Sequence, residues 1–395
     1  MTQISEIDAT LRQAADARQV PGVVAMAATS RDIIYQGAFG KRDLGKPEAM
    51  TLDSVFWIAS MTKAVTASAA MQLTEQGKLS LDAPISTVLP ELASLQVFEG
   101  FDANGQPQLR APKRPITLKH LLTHTAGYCY HIWNAEMGRY MEHAGIPGIT
   151  TCENKALTMP LSFDPGERWE YGINIDWVGK AVEAVSGKRL DAYLQDHIFA
   201  PLGMSSTSFK LSADQRTRLV GMHQRDADGA LTPVDFEMAQ EPDFHMGGGG
   251  LYSTAPDYIR FVRMLLNGGT LDGVRVLEAE TVRLMGENHI GDLNVTPMKS
   301  AIPEASNDVE LFPEQDKKWG LSFLINTRPT AEGRSAGSLA WAGLANTYFW
   351  VDRTRDVGGL ILTQLLPFGD AKVLQLFATL ERGVYDSLGG SKAAA

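Results

Sequence analysis

The chain has 395 residues, 44% hydrophobic and 21% charged, near the average for folded globular proteins and remote from disordered or fibrous chains. That length buries a sizeable core without disulfide or metal staples. The formal net charge is −10, with the acidic residues scattered, which argues against a phosphate-binding surface for nucleic acid. No apolar run approaches the roughly 18 to 20 residues of a membrane span. The best two, 64–73 and 357–366, are short and interrupted by Gln72 and Gln364. Cys129 and Cys152 are the only cysteines, too few for a disulfide framework; buried structural thiols in a reducing, cytoplasmic compartment are expected.

Ile4, Ile7, Leu11 and Ala14 recur at helical spacing, and Glu6 and Asp8 stand where a signal peptide would carry positive charge, so the spacing predicts an amphipathic first helix. Val20–Ser30 and Ile33–Gly40 read as a hairpin turning at Arg31-Asp32. A long helix is expected from Ser60 to Gln76, with its apolar residues on one side and Gly77 as its stop. From about Leu81 to His289 the pattern is mostly helical, with weak strand signals. Inside that stretch Thr254, Pro256 and Asp257 mark a helix start that Gly268-Gly269 closes. Thr347–Asp352 and Val357–Leu366 form an expected antiparallel pair, followed by a last helix from about Lys372 to Leu388. The tail Lys392-Ala393-Ala394-Ala395 carries no structural signal. Strands at both ends imply one sheet completed by both termini. The expected fold is α/β plus all-α: a discontinuous α/β unit (1–85 and 286–395), an inserted helical unit (86–285), and an active site in the cleft between them.

Ser60 and Lys63 lie three positions apart, one helical turn above each other, close enough for a hydrogen bond. A serine hydroxyl is a weak nucleophile without a base, and a lysine serves as one only when its pKa falls from about 10.4. Bringing it near neutrality disfavours the cation by on the order of 4 kcal/mol, which burial in a cleft can do. The apolar run Val55-Phe56-Trp57-Ile58-Ala59 fits such burial. The S-x-x-K pattern alone is weak and also describes an ordinary solvated helix face.

Other patterns compete. Gly333-Arg334-Ser335-Ala336-Gly337 fits the G-x-S-x-G nucleophile elbow, but no histidine follows Ser335 as that fold requires. His120 and His124 have zinc-ligand spacing, but Leu121 stands where a metalloprotease needs Glu; both read as structural, His124 bonding to backbone. Gly247–Gly250 has no following Lys-Ser/Thr and reads as close packing at the cleft edge rather than a phosphate loop. Cys129 lies near His131, but a Cys–His pair would leave Ser60, Tyr171 and Trp341 without purpose.

The ordered segments Phe56–Lys63 (FWIASMTK), Leu121–Gly127 (LLTHTAG), Asp164–Tyr171 (DPGERWEY), Gly247–Asp257 (GGGGLYSTAPD) and Trp341-Ala342-Gly343 resemble the serine β-lactamase superfamily. They look most like the family VIII carboxylesterases, relatives of class C β-lactamases and penicillin-binding proteins. The resemblance implies a β-lactamase/transpeptidase-like fold, with Ser60 as the acylated nucleophile, Lys63 as its proton partner and Tyr171 as the tyrosine that shares general-base duty. It places the oxyanion hole at the backbone N–H groups of Ser60 and Leu344, with Gly343 admitting the substrate and Tyr130 lining the pocket. A phenolate at Tyr171 would be favoured beside a lysine ammonium.

Two departures bear on the substrate. Ile173 stands where the β-lactamases usually have Asn, and Asn174 falls one residue late. Trp341 stands where they have the lysine that binds the substrate carboxylate; indole has one neutral donor and a large apolar face, so an uncharged ester is expected. The expected activity is a serine carboxylesterase hydrolysing short-chain neutral esters through an acyl-enzyme, with no metal or organic cofactor. A β-lactamase or DD-peptidase-like hydrolase, an acyltransferase, and a non-catalytic penicillin-binding-like domain are the alternatives. The expected partner is a small-molecule ester, not nucleic acid or membrane; a homo-oligomer stays open.

Overall fold

The computed structural model describes residues 3–390; the tail at Lys392–Ala395 lies outside them. Helix α1 (Gln3–Asp16) buries Ile7, Leu11 and Ala14. Strands β1 (Gly22–Ala28) and β2 (Ile33–Gly40) form the expected hairpin, and every residue of β1 is buried. Five C-terminal strands complete the sheet: β3 (Lys317–Trp319), β4 (Leu324–Asn326), β5 (Leu339–Gly343), β6 (Thr347–Asp352) and β7 (Val357–Leu362). The order is β3-β4-β5-β6-β7-β1-β2, with every pairing antiparallel. Both chain ends therefore meet where β7 pairs with β1.

Successive side chains of a strand face opposite sides, and β6 shows what covers each side. Phe349 meets Tyr258 of helix α4 (Ala255–Leu266), whereas Trp350 meets Phe377 of the last helix, α5 (Ala371–Gly390). Helix α1 packs against α5 on that second side. Thr254 caps α4 by accepting from the Asp257 amide, with a proline in the first turn, as the sequence signals. That helix falls within the 86–285 segment yet lies against β1, β6 and β7.

Helix α2 (Thr62–Glu75) is buried from Thr62 to Leu73 on all sides, not on one. Its small residues Ala64, Ala67, Ala69 and Ala70 let neighbours approach from every direction, the mark of a central helix. A short 3₁₀ turn, Ala59–Met61, precedes it and carries Ser60. Helix α3 (Asn174–Ser186) packs against α2 and carries Asp176 in its first turn. The 86–285 stretch also holds short hairpins, Val97–Phe101 with Pro107–Arg110 and Met222–Arg225 with Leu231–Val234. Strands of four or five residues are too brief to show a clear alternation in sequence.

Candidate active site

The approach to Ser60 is held from several sides. Phe56–Trp57 pairs with Tyr252–Ser253, and Gln364, the polar break in the last apolar run, bonds both backbone groups of Trp57. The Trp57 indole donates to the Gly249 carbonyl at 2.7 Å. Ala59 then takes a left-handed φ of +43°, a conformation that normally costs an L-residue about 1–2 kcal/mol. This turn sets Ser60 at the head of α2 and leaves it half-buried.

Lys63 is fully buried and its ammonium nitrogen has three partners. It donates to Ser60 Oγ at 3.0 Å, to Tyr130 Oη at 3.0 Å and to the Gly248 carbonyl at 2.6 Å. Burial pulls its pKa down to about 7, with the Asp176 carboxylate opposing the shift. Tyr171 is hydrogen-bonded to Ser60, lies with its ring centroid 4.7 Å from Lys63 Nζ, and accepts from the Trp341 indole at 2.9 Å. The backbones of the two tyrosines are tied, the Tyr130 amide donating to the Tyr171 carbonyl at 3.1 Å. Burial raises both phenols. The expected phenolate at Tyr171 is therefore disfavoured, because desolvation outweighs the hydrogen bonds to Ser60 and Trp341 and the Asp176 carboxylate adds to the rise.

Gly343 ends β5 hard against the turn that bears Ser60: a Cβ there would sit 2.3 Å from the Ile58 carbonyl and 2.2 Å from Thr347 Oγ1. Leu344, the next residue, lines the same pocket as Ser60, and among the described residues neither backbone amide has a backbone acceptor. Two such N–H groups suit a developing oxyanion. The pocket in front of Ser60 is small and open to solvent, with Trp57, Tyr130, Ile132, Trp133, Met246 and Leu344 in its walls and no lysine, arginine or acid among its lining residues.

The structure thus gathers Ser60, Lys63, Tyr171, Tyr130, Gly343 and Leu344. Trp341 differs from expectation: it is 4% exposed, spends its one donor on Tyr171 and packs edge-on against Tyr171 and Trp319, so it backs the site and does not line the pocket. Ile173 is buried, and Asn174 turns away to His124 Nδ1 at 2.9 Å and the Tyr128 carbonyl. His124 therefore bonds a side-chain amide and not backbone through its ring, while the ring packs on Tyr171. Ser335 donates its amide to Asp352 in a turn against α5, far from this chemistry. Its neighbour Arg334 is buried and paired with Glu381. Gly247–Gly250 packs closely as expected and supplies two of the carbonyls above. Both cysteines are buried free thiols, and no group of His, Cys, Asp or Glu among the described residues could hold a metal.

Sequence reasoning missed Asp176. It belongs to no motif; its one signal is an acid inside the otherwise apolar helical run Ile175, Trp177, Val178.

The Beta-lactamase family profile matches residues 7–381, nearly the whole chain. This protein belongs to that family, whose fold frames the serine, lysine and tyrosine just described. Among curated relatives, a lovastatin esterase of Penicillium rubens is 32% identical, covering 96% of this chain and 98% of its own length. A monacolin J acid methylbutanoyltransferase of Aspergillus terreus is 31% identical over 96% of this chain and 95% of its own. The unliganded simvastatin synthase of Aspergillus terreus superposes with a TM-score of 0.85 at 30% identity, covering 98% of each chain.

Proposed function

We propose that this protein is a serine acyl-transfer enzyme that hydrolyses short-chain neutral carboxylic esters through an acyl-enzyme on Ser60. The observation that carries the reading is the contact of Lys63 Nζ with Ser60 Oγ at 3.0 Å inside a buried apolar site. Lys63, drawn toward neutrality by burial, takes the Ser60 proton as Oγ bonds to the ester carbonyl carbon. The carbonyl π electrons move onto oxygen, held by the Ser60 and Leu344 amides. When the C–O bond to the alcohol breaks, the proton passes to the departing oxygen through Lys63 or Tyr171. Water, deprotonated in the same way, then releases the acid.

The lack of a cation in the pocket walls supports uncharged substrates, since a β-lactam carboxylate would enter an apolar pocket unpaired. The cleft between the sheet and the helical segment is proposed as the site's entrance. A cytoplasmic location fits the two free thiols; no described helix is long and apolar enough to cross a membrane.

A second reading, transfer of the acyl group to an alcohol instead of water, is favoured by the Aspergillus relatives, a methylbutanoyltransferase and a simvastatin synthase. The test is turnover of a nitrophenyl butyrate beside a chromogenic cephalosporin, with and without an added alcohol. Ester turnover lost in Ser60→Ala and kept in Ser335→Ala is expected. Equal loss in both folded variants overturns the assignment, and an alkyl ester product outpacing the free acid selects the second reading.

A further inference from the structure

Asp176 sits behind the site on α3, fully buried, one layer removed from the substrate pocket. One carboxylate oxygen accepts the Gly248 amide at 2.8 Å; the other is buried without a protein partner. The same Gly248 offers its carbonyl to Lys63 Nζ at 2.6 Å. The contact is specific to glycine, since a Cβ on Gly248 would come within 2.7 Å of the carboxylate. An acid is costly to bury unless a positive charge compensates it; burial lifts the Asp176 carboxyl to about 6, Lys63 is the cation that opposes the rise, and the group is mostly carboxylate at pH 7.

We propose that Asp176 is a positioning residue for Lys63: it anchors the glycine loop whose carbonyl holds the lysine, and it is the buried counter-charge that stabilises the ammonium formed when Ser60 gives up its proton. This rests on the acyl-enzyme reading above. The benefit falls on the step in which charge develops. Proton transfer from a neutral serine to a neutral lysine creates a cation in an apolar interior, and a fixed carboxylate nearby offsets that cost without having to reorganise. The other titratable groups around the pair are Tyr130, Tyr171, His124 and Cys152. Burial holds both phenols and the thiol in their neutral, protonated forms and His124 neutral, so none of them supplies a competing charge near pH 7.

The experiment compares wild type with Asp176→Asn, in which the amide oxygen still accepts from Gly248 but the charge is gone. Removing a nearby negative charge makes Lys63 easier to deprotonate, so the acid limb of kcat/KM moves down by about one pH unit. The plateau kcat falls roughly tenfold or more as the new cation loses its counter-charge. Melting temperature and labelling of Ser60 by a serine-directed phosphonate report fold and site separately. A folded Asp176→Asn enzyme whose acid limb and kcat match wild type overturns the proposal, leaving Asp176 as a packing residue. If that variant does not fold, Gly248→Ala decides, because its methyl displaces the carboxylate: an acid limb unmoved there is equally fatal. Wild-type protein that neither turns over esters nor is labelled at Ser60 overturns instead the acyl-enzyme reading itself.

Discussion

A lysine takes a proton from a serine only while it is itself neutral, and burial brings Lys63 close to that condition near physiological pH. With its pKa at about 7, the protonated and inactive fraction grows as pH falls. The rate constant kcat/KM for a neutral ester should therefore drop about tenfold per pH unit below this value. A flat profile between pH 5 and 8 would remove Lys63 from the role of base. Burial keeps Tyr171 neutral, and its proposed part in proton transfer predicts that Tyr171→Phe lowers kcat by roughly 10²- to 10⁴-fold with little change in melting temperature. Trp341→Phe, which withdraws the indole donor at 2.9 Å and thins the packing behind Tyr171, should cost about tenfold in kcat with KM nearly unchanged. An increase in KM alone would return Trp341 to direct substrate binding. The nearness of Ser60 and Lys63 was legible from their helical spacing, and that of Tyr171 only from the resemblance to the family. The orientation of Trp341 was not, since spacing says nothing about which neighbour takes an indole's single N–H.

At the scale of elements, the turn before α2 does the aiming. Ala59 is held at a positive φ because Trp57 is fixed on one side by Gln364 and Gly249, while α2 is locked into the core on the other. Ala59→Val places a β-branched side chain in a conformation it strongly resists. Thermal denaturation should show a fall of several degrees, and ester turnover should fall further than stability does. Ala59→Gly should keep or raise the melting temperature, since glycine adopts this φ freely. A stable and fully active Ala59→Val enzyme would mean the turn is not strained. Hairpin β1–β2, the capped start of α4 and the pair β6–β7 could be read from periodicity and turn chemistry. Helix α2 looked one-sided because alanine is too small to declare a face. Asp176 was invisible for a related reason: its partner Gly248 lies far along the chain, and only the fold makes them neighbours.

For the molecule as a whole, the buried pair of Arg334 and Glu381 joins the turn before β5 to α5. Aromatic rings of Phe312, Trp350 and Phe377 surround the guanidinium. Removing one partner strands a charge, so Arg334→Met should destabilise the protein by about 3–5 kcal/mol in urea titration. The double variant Arg334→Met/Glu381→Gln should recover part of that loss. A single variant as stable as wild type would show that the pair contributes nothing net. Residues Gly333–Gly337 imitate a nucleophile elbow because the motif specifies small residues around a serine, and a tight turn against a helix needs the same ones. The sequence pattern foresaw a sheet shared by both chain ends. It could not foresee that α4, surrounded in sequence by the helical segment, packs on that sheet, because an apolar stripe does not name its partner.

Joining the first strands to the last has a consequence for the order in which the molecule is made. At ~5–20 residues per second, the ribosome needs roughly 15 to 65 s after finishing β1 to produce β7, its partner on one side. Throughout that interval the wholly apolar β1 presents an unpaired edge, the feature that invites pairing with another chain. A chaperone that shields the hairpin during this interval should therefore raise the yield of native protein, while leaving the activity of each folded molecule unchanged.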